Sequence, residues 1–209
     1  MFRKKIRHKP KPRQKIRTYS QRVRRFSDKE MVSDNARGTI KRFAVQNAGG
    51  KSFFEKVLSL SKAISSFQTV EKPYQTIFAS WGNRTASEII SQKTLYAIES
   101  TGEKTTKVEG CMDAATALTA AARALASLEN IKAKVFFARW KTHSGVRVQV
   151  GSESRFFPGG SRMKNVKGLI AKKIEKAKED GVYAEGFGPR AIGLKMLSDF
   201  HKYAEKSQE

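Results

Sequence analysis

Basic side chains alternate with aromatic rings between residues 139 and 157, and this pattern is the chain's best candidate for chemistry. Unpaired RNA bases stack on aromatic rings and on the flat guanidinium group of arginine, while basic groups neutralise phosphates. The region therefore predicts RNA contacts, although some of its phenylalanines must also serve a core. The predicted contacts are Arg139, Trp140, Lys141, His143, Arg147 and Arg155.

Further phosphate contacts are predicted at four basic residues outside that region. Arg190 follows the glycine-containing turn 186–189, where the start of a helix would favour an anion. An ordinary strand-to-helix turn fits the same residues equally well. Arg162 and Lys164 share a loop, and Arg84 lies in a predicted turn. The lysines of 172–178 alternate with glutamates, which is typical of a solvated helix face.

The first 27 residues are the most basic segment, with 12 Lys and Arg and no acidic residue. The whole chain has 42 basic and 19 acidic residues and a formal net charge of +23, so its expected partner is a large polyanion. A basic arm releases condensed counterions when it lies on phosphates. A mitochondrial targeting sequence is the main alternative, although Pro10 and Pro12 argue against it. The predicted arm contacts are Arg3, Lys4, Lys5, Arg7, Lys9, Lys11, Arg13, Lys15, Arg17, Arg22, Arg24 and Arg25.

Motifs of the common enzyme classes are missing from the sequence. It contains no GxxxxGK(S/T), no GxGxxG after a strand, no HExxH and no GxSxG. We therefore expect no enzymatic activity, no cofactor and no metal. The alternative is a metal-dependent nuclease or its DNA-binding accessory, with ligands drawn from Glu88, Glu99, Glu109 and Asp113.

The chain has a single cysteine, Cys111, and three histidines, which argues against a disulfide framework and against a zinc site. A structural role is expected for Cys111. No apolar run approaches the ~18 residues that span a bilayer, and the first residues lack the apolar core of a secretory signal. We expect neither a membrane partner nor a small-molecule substrate.

Hydrophobic periodicity predicts alternating helices and strands. The clearest helix is 113–128, whose alanine-rich face suits close packing on a sheet. Ser52 and Glu55 have capping-box spacing at the start of a helix over 52–67, and residues 28–50 are predicted as a bridge. The other predictions are strands at 74–80, 85–91, 94–99, 131–138, 146–150 and 182–184, a loop at 151–161, and helices at 165–180 and from Pro189 to about residue 203.

A helix followed directly by a strand indicates the α/β class. We expect a compact mixed sheet with packed helices, preceded by an extended basic N-terminal arm. The predicted organisation is an RNA-binding arm and bridge at 1–50, a helical lead-in at 51–72, an α/β RNA-binding domain at 73–204 and a tail at 205–209.

Three segments resemble the universal small-subunit ribosomal protein of family eleven. Residues 77–85 (IFASWGNRT) resemble its first strand and turn, 113–138 its central helix and next strand, and 186–191 (GFGPRA) its glycine-rich turn. In that family the glycine turn follows the strand at once, whereas a long insertion separates them here. The resemblance implies a compact α/β domain on the ribosomal platform that holds ribosomal RNA without catalysis.

A second resemblance covers part of the same region. The helix 113–128, with residues 135–139 (VFFAR) and 143–147 (HSGVR), is similar to the large-subunit ribosomal protein of family eighteen, which binds 5S ribosomal RNA. The two families have related folds, so both imply the same architecture and the same kind of partners: ribosomal RNA and neighbouring ribosomal proteins.

The function expected from these observations is a structural RNA-binding component of a ribosome. Analogy favours the small subunit of a mitochondrial ribosome in the matrix, with a large-subunit protein or a cytoplasmic location as alternatives. A basic virion or nucleoid-packing protein would share the same electrostatics and stays open.

Overall fold

The computed structural model describes residues 28–33, 38–72, 84–98, 110–140, 143–159, 167–181 and 183–189. The basic arm, the predicted strand at 74–80 and the predicted last helix after Pro189 lie outside these residues. None of the described helices is long and apolar enough to cross a membrane.

Six helices and six strands form in the described residues, so the predicted mixed α/β class is confirmed. The helices are α1 (Asp28–Val32), α2 (Thr39–Asn47), α3 (Phe53–Ser65), α4 (Ala86–Gln92), α5 (Cys111–Leu128) and α6 (Lys167–Glu179). The strands are β1 (Gln68–Lys72), β2 (Thr94–Ile98), β3 (Ala133–Trp140), β4 (His143–Val150), β5 (Glu153–Pro158) and β6 (Tyr183–Gly186).

Capping boxes start two of the helices. The Ser52 hydroxyl accepts a hydrogen bond from the Glu55 amide at 3.2 Å, and the Glu55 carboxylate accepts one from the Ser52 amide at 2.9 Å, as predicted for α3. Thr85 and Glu88 form the same box at α4. The predicted strand at 85–91 is therefore wrong, because this box and the buried pair Ile89 and Ile90 favour a helix over the β-branched composition.

The larger sheet has four antiparallel strands in the order β5-β4-β3-β6. The predicted loop at 151–161 is wrong over Glu153–Pro158, which forms β5. Val150 pairs with Glu153, so only two residues make the hairpin turn, and the first, Gly151, has the positive φ of 58° that such turns require. A separate parallel pair, β1 and β2, is joined through α4.

The alanine-rich helix α5 lies at the centre of the molecule. Its alanines let neighbours approach closely, and α1 to α4 pack on one side while β3 and β4 pack on the other. In the described part of residues 28–50, which was predicted as a bridge, the chain forms α1 and α2, because Met31, Ile40 and Phe43 bury their side chains in this core. At the end of α5, Asn130 adopts a left-handed φ of 53°, as expected for a stop.

The sheet has an inner face toward α5 and an outer face away from it. Val135 and Phe137 belong to the core on the inner face, so alternation places Lys134, Phe136, Ala138 and Trp140 on the outer face. The helix α6 covers only part of that outer face. Its residues Ile174 and Ala177 bury Ala138 and Trp140.

Candidate nucleic-acid interface

Arg84, a predicted contact, is buried and links three elements of the fold through its side chain. Its guanidinium pairs with Asp113 of α5, donates to Gln92 Oε1 at 2.9 Å and to Thr94 Oγ1 at 2.9 Å, and stacks 3.8 Å from the Tyr96 ring. Arg84 is only 8% exposed, so the structure gives it no surface for RNA. Its role here is to join α4, β2 and α5.

Asp113, a candidate nuclease ligand, belongs to the same group of contacts. Its carboxylate also accepts a hydrogen bond from the Tyr96 amide at 2.8 Å. Burial raises the pKa of Asp113, and the Arg84 charge opposes that rise. Glu88 is used by the α4 cap, whereas Glu99 and Glu109 lie outside the described residues. Within the described part of the chain, no group of three acidic, histidine or cysteine side chains could hold a metal ion.

Arg139 and Trp140 are also interior residues, at 2% and 4% exposure. The sequence pattern predicts a strand ending at 138, but β3 continues to Trp140, which carries both side chains into the sheet. Arg139 Nη1 lies 3.8 Å from Met112 Sδ, and Trp140 packs in the cluster beneath α6. In this structure neither side chain is placed to meet RNA.

His143 is partly buried against Trp140, with ring centroids 5.0 Å apart. Burial, together with the charges of Lys173 and Arg139, lowers the pKa of His143 to about 4. The imidazole is therefore neutral near pH 7 and offers no positive charge to a phosphate. At the start of α5, burial raises the pKa of the Cys111 thiol, which suits the structural role expected of it.

Arg147 and Arg155 are the predicted contacts that reach the surface. The Arg147 guanidinium forms a two-pronged pair with Glu185, with Nε 2.6 Å from Oε2, and stacks 4.4 Å from the Phe136 ring. This pairing raises the pKa of Arg147. Arg155 bonds to Glu153 at 2.6 Å and lies 4.5 Å from the Phe54 ring. Both arginines are already stacked on aromatic rings.

Lys141, Arg162, Lys164, Arg190 and the twelve basic residues of the arm lie outside the described residues. The glycine turn itself is described as far as Pro189.

The surface contains a guanidinium stacked on an aromatic ring, which the sequence did not predict. Arg123 of α5 donates from Nη2 and Nε to the Val135 carbonyl, at 2.6 and 3.2 Å, and its guanidinium lies 3.7 Å from the Phe187 ring. Phe187 belongs to the glycine turn and is 51% exposed. An aromatic residue between two glycines was the available signal, because such a turn leaves its side chain few neighbours.

This stack lies beside an open strand edge. Strand β6 pairs with β3 only from Phe137 to Trp140, so no described strand lies beside residues 133–136 on that side. Arg123 covers the Val135 carbonyl there, and Lys134 and Phe136 flank it on the outer face. We name this surface the open-edge patch. Its members are Arg123, Lys134, Phe136, Arg147 and Phe187.

The open-edge patch combines three basic side chains with two aromatic rings. Glu185 is the carboxylate that bonds to Arg147, while no ion pair links Lys134 to another described residue. Lys134 is exposed and faces Gln149 across the sheet. Chemically, such a surface can attract a phosphate and present a flat ring to a base.

No protein-family model matches the chain, and neither a curated protein nor a solved structure matches it.

Proposed function

We propose that this protein is a structural RNA-binding component of a ribosome, which holds ribosomal RNA and catalyses no reaction. The observation that carries the proposal is the charge: +23 overall, with 12 basic residues and no acidic one in the first 27. Clustered positive charge of this size favours a nucleic acid as partner. The resemblance of residues 113–138 to two ribosomal families makes ribosomal RNA the nucleic acid we propose.

The mechanism is charge neutralisation followed by stacking. The arm lies between RNA helices, where its cations replace condensed counterions and reduce repulsion between phosphates. The folded body adds the open-edge patch, on which aromatic and guanidinium planes are already exposed or stacked. Neighbouring ribosomal proteins complete the site. We place the protein in the small subunit of a mitochondrial ribosome, with the large subunit as the alternative.

Sedimentation tests this proposal directly. The tagged native protein from a gentle lysate is run through sucrose gradients at low and high salt, and the RNA in its peak is sequenced. Co-migration with one ribosomal subunit at high salt is the expected result and identifies the subunit. A slowly sedimenting protein without ribosomal RNA overturns the proposal, and protein on long DNA supports a packaging role instead.

The arm is tested by changing its 12 basic residues to glutamine in the full chain. For single-stranded RNA, each phosphate contact contributes about 0.7 to the slope of log affinity against log salt, so the slope should fall by at most about 8. A control variant carries glutamine at Lys172, Lys173 and Lys176, which lie on the exposed side of α6, and its slope should fall by at most about 2. An unchanged slope in the arm variant would refute the arm's role.

A further inference from the structure

We propose that the open-edge patch binds an unpaired RNA base, which stacks on the Phe187 ring while Lys134 contacts the neighbouring phosphate. This inference rests on the proposed function and specifies which form of RNA the folded body recognises: single strands, loops or bulges, and not continuous duplex.

The Phe187 ring is exposed to solvent. Three large apolar side chains are exposed in the described residues, Val45, Leu128 and Phe187, and only Phe187 is aromatic. An exposed ring leaves apolar surface in water that a ligand can cover, at about 25 cal/mol per Å². The ring therefore has binding energy to contribute that the fold itself does not use.

The ring is also held in place. The Arg123 guanidinium lies 3.7 Å from it, and that guanidinium is fixed by two hydrogen bonds to the Val135 carbonyl. A base stacked on the open side would extend a layered arrangement of base, ring and guanidinium. Because the ring is already positioned, a base loses less free energy to ordering of the protein.

The form of the RNA follows from the chemistry of stacking. In an A-form duplex the base faces are covered by neighbouring bases, and the deep major groove is closed to side chains. Only unpaired bases present a free face to Phe187. Charge argues for RNA over an apolar peptide, because Arg123 lies against the ring, Lys134 is exposed on the neighbouring strand, and the Glu185 carboxylate is already paired with Arg147.

Lys134 is the group in the patch best placed for a phosphate. The charge of Arg147 is already compensated by Glu185, and Arg123 is bonded to the backbone. Lys134 is exposed, has no ion pair with another described residue and lies next in sequence to Val135. It thus sits one residue from the carbonyl that positions the stack.

The experiment uses the full chain and two probes: a 12-nucleotide oligouridine with one central 2-aminopurine, and a 12-base-pair RNA duplex. Binding is measured at 300 mM salt, where arm contacts are weakened. Phe187→Ala should weaken single-strand binding by roughly 5- to 160-fold, the range of one lost base stack. Quenching of 2-aminopurine fluorescence on binding should be lost as well, with duplex affinity unchanged.

Leu128→Ala provides the matched control, because Leu128 is 48% exposed and Phe187 is 51% exposed. It should change neither affinity. Phe187→Trp should keep both the affinity and the quenching, whereas Phe187→Leu, which keeps apolar bulk without a ring plane, should lose the quenching. Lys134→Gln should lower affinity for the single strand and reduce its salt slope by about 0.7.

The outcomes separate this inference from the proposed function. If the wild-type protein binds RNA but Phe187→Ala behaves like Leu128→Ala on the single strand, the stacking inference is overturned and the proposed function survives. Equal losses on both probes also overturn it, since stacking would not affect duplex. If the wild-type protein binds neither probe, even at 50 mM salt, the proposed function fails first.

Discussion

The outer face of the four-stranded sheet has two halves that differ in one neighbour. In the covered half, Ala138 and Trp140 lie beneath α6, and Trp140 is 4% exposed. In the open half, on the same strand, Lys134 is exposed and Phe136 is only partly buried. Each half carries one aromatic side chain of β3 on this face. A covering helix, more than the composition of the strand, therefore decides whether an aromatic side chain belongs to the core or to the surface.

Replacing an aromatic residue in each half should show the largest difference. Trp140→Ala removes a fully packed side chain and should lower the free energy of unfolding by about 3–5 kcal/mol. Phe136→Ala in the open half should cost no more than about 1.5 kcal/mol, because less surface is buried there. Urea unfolding measures both. Similar losses in the two variants would contradict the division into halves.

Replacing Gly145 in the covered half should lower stability more than replacing Gln149 in the open half. A Cβ at this position would lie 2.5 Å from the Phe157 carbonyl oxygen and 2.8 Å from the Trp140 ring. Gly145→Ala should therefore cost about 1–3 kcal/mol through overpacking. The control is Gln149→Ala, on the same strand and face, which should stay within about 0.5 kcal/mol. Thermal unfolding of the two variants decides between these outcomes.

His143, in the covered half, should make the free energy of unfolding fall at acid pH. The folded protein holds its pKa at about 4, whereas the unfolded chain binds a proton near 6.5. The unfolded state thus gains protons first as pH falls, so stability is lost between pH 6.5 and 4 and reaches about 2 kcal/mol of loss at pH 5. His143→Gln should flatten this part of the profile. The free energy of unfolding is measured with urea at pH 7.5 and 5. An equal loss between these pH values in the variant and the wild type would show that His143 is not its cause.

Much of the architecture could be predicted because its signals are local. The capping pair Ser52 and Glu55 predicts α3, and the alanine spacing predicts α5. Thr85 and Glu88 carry the same cap signal, but the β-branched residues around them favoured a strand. That error shows that cap spacing outweighs β propensity in a short segment packed on a helix.

The candidate site was less predictable because its members meet through long-range packing. Arg123 and Phe187 are 64 positions apart in the numbering, and their contact depends on where β6 ends beside β3. Arg139 and Arg147 read alike in the sequence, yet one lies on the inner face and the other on the outer face. Only the register of β3 and the position of α6 separate core from surface.

The central position of α5 has a consequence for the order in which the chain can fold. The helices α1 to α3 are synthesised first, but the apolar sides they bury, including Ile40, Phe43 and Leu60, pack in one core with α5. They gain that partner only after Leu128 has left the ribosome that is making the chain. Until then the nascent protein presents a basic arm followed by helices with exposed apolar sides. Early synthesis is therefore the stage at which a chaperone is needed most.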